Sequence, residues 1–177
     1  MPGNLAESHP LRCPGEQADV TALRTRITDT LDAHQVAYRV LPHSKPVYTV
    51  ETAAEQRGVV KEEMVKSILL RDKDGRYVMA GVTGDARVDP KAVRAHLPAG
   101  WKRLSFATPE EILAVTGCVQ GAVTPVGLPP DVPVILDEAI ARCRQITISS
   151  GDPMAGLELA PGDLIRVSGA QLARIAE

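Results

Sequence analysis

Apolar positions recur along this chain at two periods, and the switches between them predict its elements. Val20, Leu23, Ile27, Leu31 and, less regularly, Val36 predict an amphipathic helix over 18–36, with Arg24, Arg26, Asp29 and Asp32 on its wet side. A short strand is expected over 37–41, followed by a turn at His43-Ser44-Lys45-Pro46. Thr49 is placed to cap a helix over 50–57 that stops at Gly58. Two strand-like runs, 64–71 and 76–82, flank Asp72-Lys73-Asp74-Gly75, and Asp-Gly between such runs signals a hairpin.

The second half alternates in the same way. Asp89 followed by Pro90 predicts a short helix that ends near Leu97-Pro98. A strand is expected over 102–106. Thr108-Pro109-Glu110-Glu111 is a capping box that opens a helix running to about Thr116. Strands are expected over 132–136, 145–149 and 157–159, and a short helix over 161–167. Ser168 and Gln171 have capping-box spacing, which predicts a C-terminal helix after them. Strands outnumber long helices and the alternation is irregular. The expected class is therefore α/β (α+β): one compact domain with a mixed, mostly antiparallel sheet flanked by helices.

Composition narrows the function more than the fold. The 177 residues are 44% hydrophobic and 24% charged, the make-up of a soluble globular domain. No apolar run approaches the roughly 20 residues that span a bilayer, so no membrane partner is expected. Residues 1–17 are rich in Pro and Gly and lack the apolar core of a signal peptide. They read as a flexible arm ahead of a domain over 18–177, and the expected location is the cytoplasm. Cys13, Cys118 and Cys143 form no CxxC pair, and His9, His34, His43 and His96 have no ligand spacing, so no metal and no cofactor are expected. The net charge is −2 and the aromatics number five, which argues against an extended nucleic-acid surface and against a DNA partner.

Two features point to chemistry. Thr116-Gly117-Cys118-Val119-Gln120-Gly121-Ala122-Val123-Thr124-Pro125-Val126-Gly127 packs three glycines and a proline into one loop directly after a helix. Such a loop either reverses the chain or presents a rigid set of backbone groups. Lys66 shares a strand face with Ile68 and Leu70, while Val65, Ser67 and Leu69 face the other way. A lysine in a strand that is apolar on both faces either snorkels out or points into a polar cavity, where it would suit an anion. Cys118 is a thiol beside Gly117, with no histidine near it in sequence, and reads as inert.

Residues 65–69, the loop 116–127, Ser149-Ser150-Gly151 and Pro161-Gly162-Asp163-Leu164 occur in an order and spacing that resemble the YbaK family. These are aminoacyl-tRNA deacylases related to the editing domain inserted in bacterial prolyl-tRNA synthetases. The resemblance runs from about residue 37 to the end of the chain and leaves residues 1–17 outside. Its most specific parts are the lysine strand and the GxxxP loop from Gly121 to Pro125.

The resemblance implies trans-editing hydrolysis of the ester joining a wrong amino acid to tRNA, with no metal and no established side-chain nucleophile. It implies catalytic roles for Lys66, Gly121 and Pro125, with backbone groups of the loop positioning the ester and water as nucleophile. It also implies substrate contacts from His43, Tyr48, Ser67, Gly117, Gly127, Asp137, Ser149, Ser150 and Gly151. For His43 a turn cap is an equal alternative. Thr49 and Asp137 also fit helix caps, which is the favoured reading of both. The implied partners are the 3′ acceptor end of a mischarged tRNA and an aminoacyl-tRNA synthetase. Subfamilies acting on Ala-, Cys- or Ser/Thr-type substrates differ at the residue after the lysine, here Ser67, and the setting of Asp137 leans toward the serine/threonine type. The alternative reading is a non-catalytic tRNA- or synthetase-binding module on the same fold.

Overall fold

The structure, a computed structural model, describes residues 23–177. The expected arm over 1–17 and the start of the helix expected over 18–36 lie outside them. In chain order the elements are α1 (Arg26–Ala33), β1 (Tyr38–Pro42), α2 (Val50–Arg57), β2 (Val65–Asp72), β3 (Tyr77–Thr83), α3 (Pro90–Ala95) and β4 (Leu104–Phe106). Then follow α4 (Pro109–Thr116), β5 (Val134–Asp137), α5 (Glu138–Ala141), β6 (Ile146–Ser149), β7 (Ala155–Leu159), α6 (Pro161–Ser168) and β8 (Gln171–Ala173).

Two sheets organise these elements. One has the order β4-β2-β3-β5-β8, antiparallel through β3 and parallel at β3–β5 and β5–β8. The other is the antiparallel trio β1-β7-β6. A parallel bridge between Met64 and Thr147 joins them where β2 begins. This is the mixed, mostly antiparallel α/β domain that the alternation predicts.

Period-two alternation divides the core. Val65 and Leu69 of β2 and Met79 of β3 face a cluster shared with Ile27, Leu31, Ile148, Leu157 and Leu164. Leu70, Val78, Ala80 and Val82 face a second cluster with Val88, Val93, Leu104 and Ile175. Ile27 and Leu31 of α1 are fully buried, and each such side chain contributes about 1.5–3 kcal/mol. Among the described residues no helix is long and apolar enough to cross a membrane.

Local chemistry sets the boundaries. Thr49 and Thr108 each accept the amide three residues on, and Glu111 closes the capping box by accepting the Thr108 amide at 2.8 Å. Two sequence expectations are corrected. The first helix ends at Ala33, because Gln35 adopts a left-handed φ of 55° and turns the chain toward β1, so Val36 is buried beyond the helix. Ser168 and Gln171 open no helix. The Ser168 hydroxyl donates back to the Leu164 carbonyl at the end of α6, and Gln171–Ala173 pairs in parallel with β5. A hydroxyl bonded backward into its own helix cannot cap a following one, and Gly169, left-handed at φ 63°, ends α6.

Candidate active site

A cleft of about 300 Å³ opens where β2 leaves its bridge to the small sheet. The start of β2 supplies Val65, Lys66 and Ser67 with Met64 just before it, and α2 with its cap supplies Thr49, Val50, Ala53 and Arg57 with Tyr48 just before it. The glycine-rich loop adds Gln120, Gly121 and Val123, and Ser149 comes from the end of β6. β4 pairs with β2 only from Leu70 onward, which leaves the Lys66 end of the strand open on that side.

Lys66 and the glycine loop, far apart in sequence, thus face one space. The Lys66 ammonium is half-buried and donates to the Ala86 carbonyl. Its pKa is lowered first by burial and then by Arg87, while Asp85 and Glu51 pull it back up. Among the described residues it forms no ion pair with a carboxylate.

Gly121 has φ +91°, and a Cβ on it would lie 2.7 Å from the Tyr48 carbonyl oxygen and 2.9 Å from the Tyr48 Cα. Only glycine lets the loop lie against the residue that precedes the α2 cap. The amide of Ala122 is spent on Val119 at 3.0 Å.

Of the remaining expected residues, Tyr48, Ser67 and Ser149 line the cleft. Tyr48 is 57% exposed at its mouth. The Ser67 hydroxyl is buried with no hydrogen-bond partner among the described residues. An orphan buried hydroxyl costs roughly 1–3 kcal/mol unless a ligand or water satisfies it. Thr49 lines the cleft and also caps α2, accepting the Thr52 amide at 3.2 Å.

Seven residues lie elsewhere, six of them packed into the structure around the cleft and the seventh, His43, beside Arg57. Gly117 is the left-handed C-cap of α4 and packs near Arg26. Gly127 and Gly151 pack on Ile27 of α1. Ser150 is fully buried, and its hydroxyl donates to the Ala155 carbonyl at 2.7 Å. Thr25 donates to the Ser150 carbonyl at 2.7 Å; Arg26 donates to the Thr116 carbonyl and Ile27 packs on Gly127, so α1 braces both ends of the loop from behind. Pro125 is buried and does not line the cleft.

The sixth is Asp137, whose carboxylate is spent on backbone. One oxygen accepts the Ala139 amide at 2.9 Å as the α5 cap. The other accepts the amides of Ile175 and Ala176 at 2.8 and 2.9 Å. Cys118 is also away from the cleft, and burial pushes its thiol up, so it remains protonated.

His43 does not face the cleft but governs a residue that does. Its Nδ1–H donates to the Pro153 carbonyl at 2.8 Å. Its Nε2 accepts from Arg57 Nε at 3.2 Å, and because guanidinium only donates, the tautomer is fixed. Arg57 also donates to the Thr147 hydroxyl at 3.2 Å. Its guanidinium lies over Gly156, where a Cβ would approach to 2.3 Å. Burial draws Arg57 down to about 10, and among the described residues no carboxylate pairs with it. It remains charged at neutral pH and gives the cleft a second cation. At the end of a short helix before Gly58, Arg57 reads in sequence as an ordinary surface base. The signal that reveals it, the close approach to Gly156, is tertiary.

Burial lowers the His43 pKa, and Arg57 lowers it further, against the Pro153 carbonyl and Asp152, which raise it. The unfolded ring titrates near the ordinary 6.5. The stabilisation from neutral His43 is therefore present above about pH 6.5 and is lost as pH falls through the lower folded value. Thermal melts between pH 7.5 and 5 should show a steeper loss of stability for the native protein than for His43→Gln. Parallel pH profiles would contradict this arrangement.

Among the described residues no three His, Cys, Asp or Glu side chains converge as a metal site. A family model described as "Aminoacyl-tRNA editing domain" matches residues 44–167, which contain the whole cleft lining. The chain is 33% identical over 120 residues to YwhH of Bacillus subtilis, covering 68% of this chain and 74% of that protein. It is 30% identical over 110 residues to a proline–tRNA ligase of Trichlorobacter lovleyi, covering 62% of this chain but only 19% of the ligase. A solved structure named a "putative trans-editing enzyme for prolyl tRNA synthetase" superposes with a TM-score of 0.71 at 29% identity, over 86% of this chain and 95% of that one. The chain belongs to the aminoacyl-tRNA editing domain family.

Proposed function

We propose that this chain hydrolyses the ester bond of a mischarged aminoacyl-tRNA in trans, without metal or cofactor. One observation carries the reading: Lys66 and the Gly121 loop, remote in sequence, converge on one cleft in a chain of the editing family. The 3′ end enters past Tyr48. Lys66 and Arg57 attract its phosphates. Water attacks the ester carbonyl, assisted by the neighbouring ribose hydroxyl of the substrate. Amides of the Gly121 loop, held in place by Tyr48 and the α1 brace, stabilise the oxyanion. The acyl–oxygen bond then breaks, releasing the free amino acid and the tRNA 3′-terminal hydroxyl.

The amino acid is of the Ala, Cys or Ser/Thr type, and Ser67, whose orphan hydroxyl lies in the wall, is the residue that selects it. Pro125 acts by fixing the loop. The likeness to proline–tRNA ligases and to the trans-editing structure supports a synthetase as partner and the cytoplasm as location.

The test is release of amino acid from mischarged tRNA by the chain alone. Because the chemistry is assigned to backbone amides, two cations and water, EDTA should leave the rate unchanged. Loss of activity in EDTA, restored by zinc, would overturn the mechanism.

A further inference from the structure

A second concavity of about 1090 Å³ lies at the opposite end of β2 from the bridge. Lys73 on the hairpin turn, Lys91 and Arg94 on α3, and Arg103 beside β4 line it, together with Asp89 and Glu177. Four cations thus face two acidic side chains. One oxygen of Asp89 is already engaged by the Lys91 amide at 2.8 Å. Among the described residues none of the four cations forms an ion pair. The chain as a whole carries −2, so this surplus is local. It is gathered from three separate places in the sequence, the hairpin turn, α3 and the segment before β4, by the fold alone.

The groove and the cleft are joined. Lys66 and Leu70 share one face of β2, and Phe106, which lines the groove and is 62% exposed, is the register partner of Leu70. Four residues of strand separate the two, roughly 13 Å. The segment 86–94 connects them along the same side. Ala86 accepts the Lys66 ammonium, and Arg87 is close enough to lower the pKa of Lys66. The Arg87 carbonyl accepts the amide of Glu177, which lines the groove, and Lys91 and Arg94 follow. Lys66, Arg87, Lys91 and Arg94 thus follow one another from the cleft to the groove, with Asp85 and Asp89 interspersed and Glu177 beside them.

The scaffold beneath is rigid. Asp72 is buried and accepts the amides of Asp74, Arg76 and Lys102, which ties the hairpin turn bearing Lys73 to the segment bearing Arg103.

We propose that this groove binds the phosphate backbone of the tRNA acceptor stem while the 3′ end occupies the cleft. The inference rests on the editing reading above and supplies the contact by which the substrate body is held. Spaced, unpaired cations with a single exposed ring match a phosphate backbone. An interface with a protein partner would need a larger apolar centre.

The experiment measures binding of deacylated tRNA to the full chain as a function of salt, so it does not depend on ester hydrolysis. Four phosphate contacts give a slope of log affinity against log salt of about −3 to −4, at −0.7 to −0.9 each. Lys91→Glu with Arg94→Glu should flatten that slope by roughly 1.5 and weaken binding about tenfold or more at 0.1 M salt. Lys91→Arg with Arg94→Lys should keep both. Lys91 and Arg94 are both exposed, and unchanged melting temperatures will confirm that the fold persists.

Native affinity and slope in the charge-reversed protein would overturn the proposal. So would native tRNA binding combined with loss of a synthetase partner, which would make the groove a protein-docking face. Loss of tRNA binding in the charge-reversed protein, together with a native protein that hydrolyses no mischarged tRNA, would leave the groove standing and remove the editing reading.

Discussion

Lys66→Ala is expected to lose most ester hydrolysis while keeping its fold. The ammonium is half-buried at the open end of β2, lines the cleft and has no carboxylate partner among the described residues, so its charge is available to the substrate. Stabilisation of developing negative charge by one preorganised group is worth roughly 2–4 kcal/mol, or about thirty- to a thousandfold in rate. The structural loss is one hydrogen bond to Ala86 at the rim of a wet cleft, about 1 kcal/mol. Single-turnover hydrolysis and thermal unfolding, measured on the same preparation, separate the two effects. Near-native hydrolysis by a folded Lys66→Ala protein would remove Lys66 from the mechanism.

Gly121→Ala is expected to be comparably damaging to hydrolysis, by a different route. A side chain at φ +91° costs about 1–2 kcal/mol. The added carbon would also meet the Tyr48 backbone at 2.7 and 2.9 Å, and backbone cannot swing aside as a long side chain does. The loop must lift away from Tyr48 and carry its amides out of line with the ester. A drop of about a hundredfold is expected, on the scale of losing one oxyanion donor. Gly117→Ala is the contrast. It also strains a left-handed residue, but at a helix C-cap facing the flexible end of Arg26. It should cost about 1 kcal/mol of stability and little activity. Equal activity losses in the two variants would show that the loop acts only through its general rigidity.

What was legible in the sequence is what short-range chemistry controls. The caps at Thr49 and Thr108, the Asp-Gly hairpin and the proline-led starts of α3 and α6 each depend on neighbours within four residues, and all stand as expected. Lys66 was legible because a charge in a strand apolar on both faces is a local contradiction. The failures were non-local or ambiguous. Ser168 and Gln171 have the spacing of a capping box, yet β5 offers an open edge that turns Gln171–Ala173 into a strand. Ser150, Gly127 and Gly151 lie near cleft residues in sequence but pack against α1. Arg57 shows its role only when Gly156 and His43 close around it, and the basic groove exists only once the hairpin, α3 and β4 are side by side. Net charge cannot show such clustering, because it sums over a surface that the fold has yet to arrange.

Whether the cleft cleaves aminoacyl esters is decided by single-turnover incubation of the protein with tRNAs carrying Ala, Ser, Thr, Cys and Pro. Ester loss is compared with the rate in buffer alone and with the Lys66→Ala protein. At least one of the Ala, Ser, Thr or Cys esters should disappear far faster with the native protein than in either control. Decay of all five at the buffer rate, in a protein that still binds tRNA, would contradict this and leave a binding module on an editing fold.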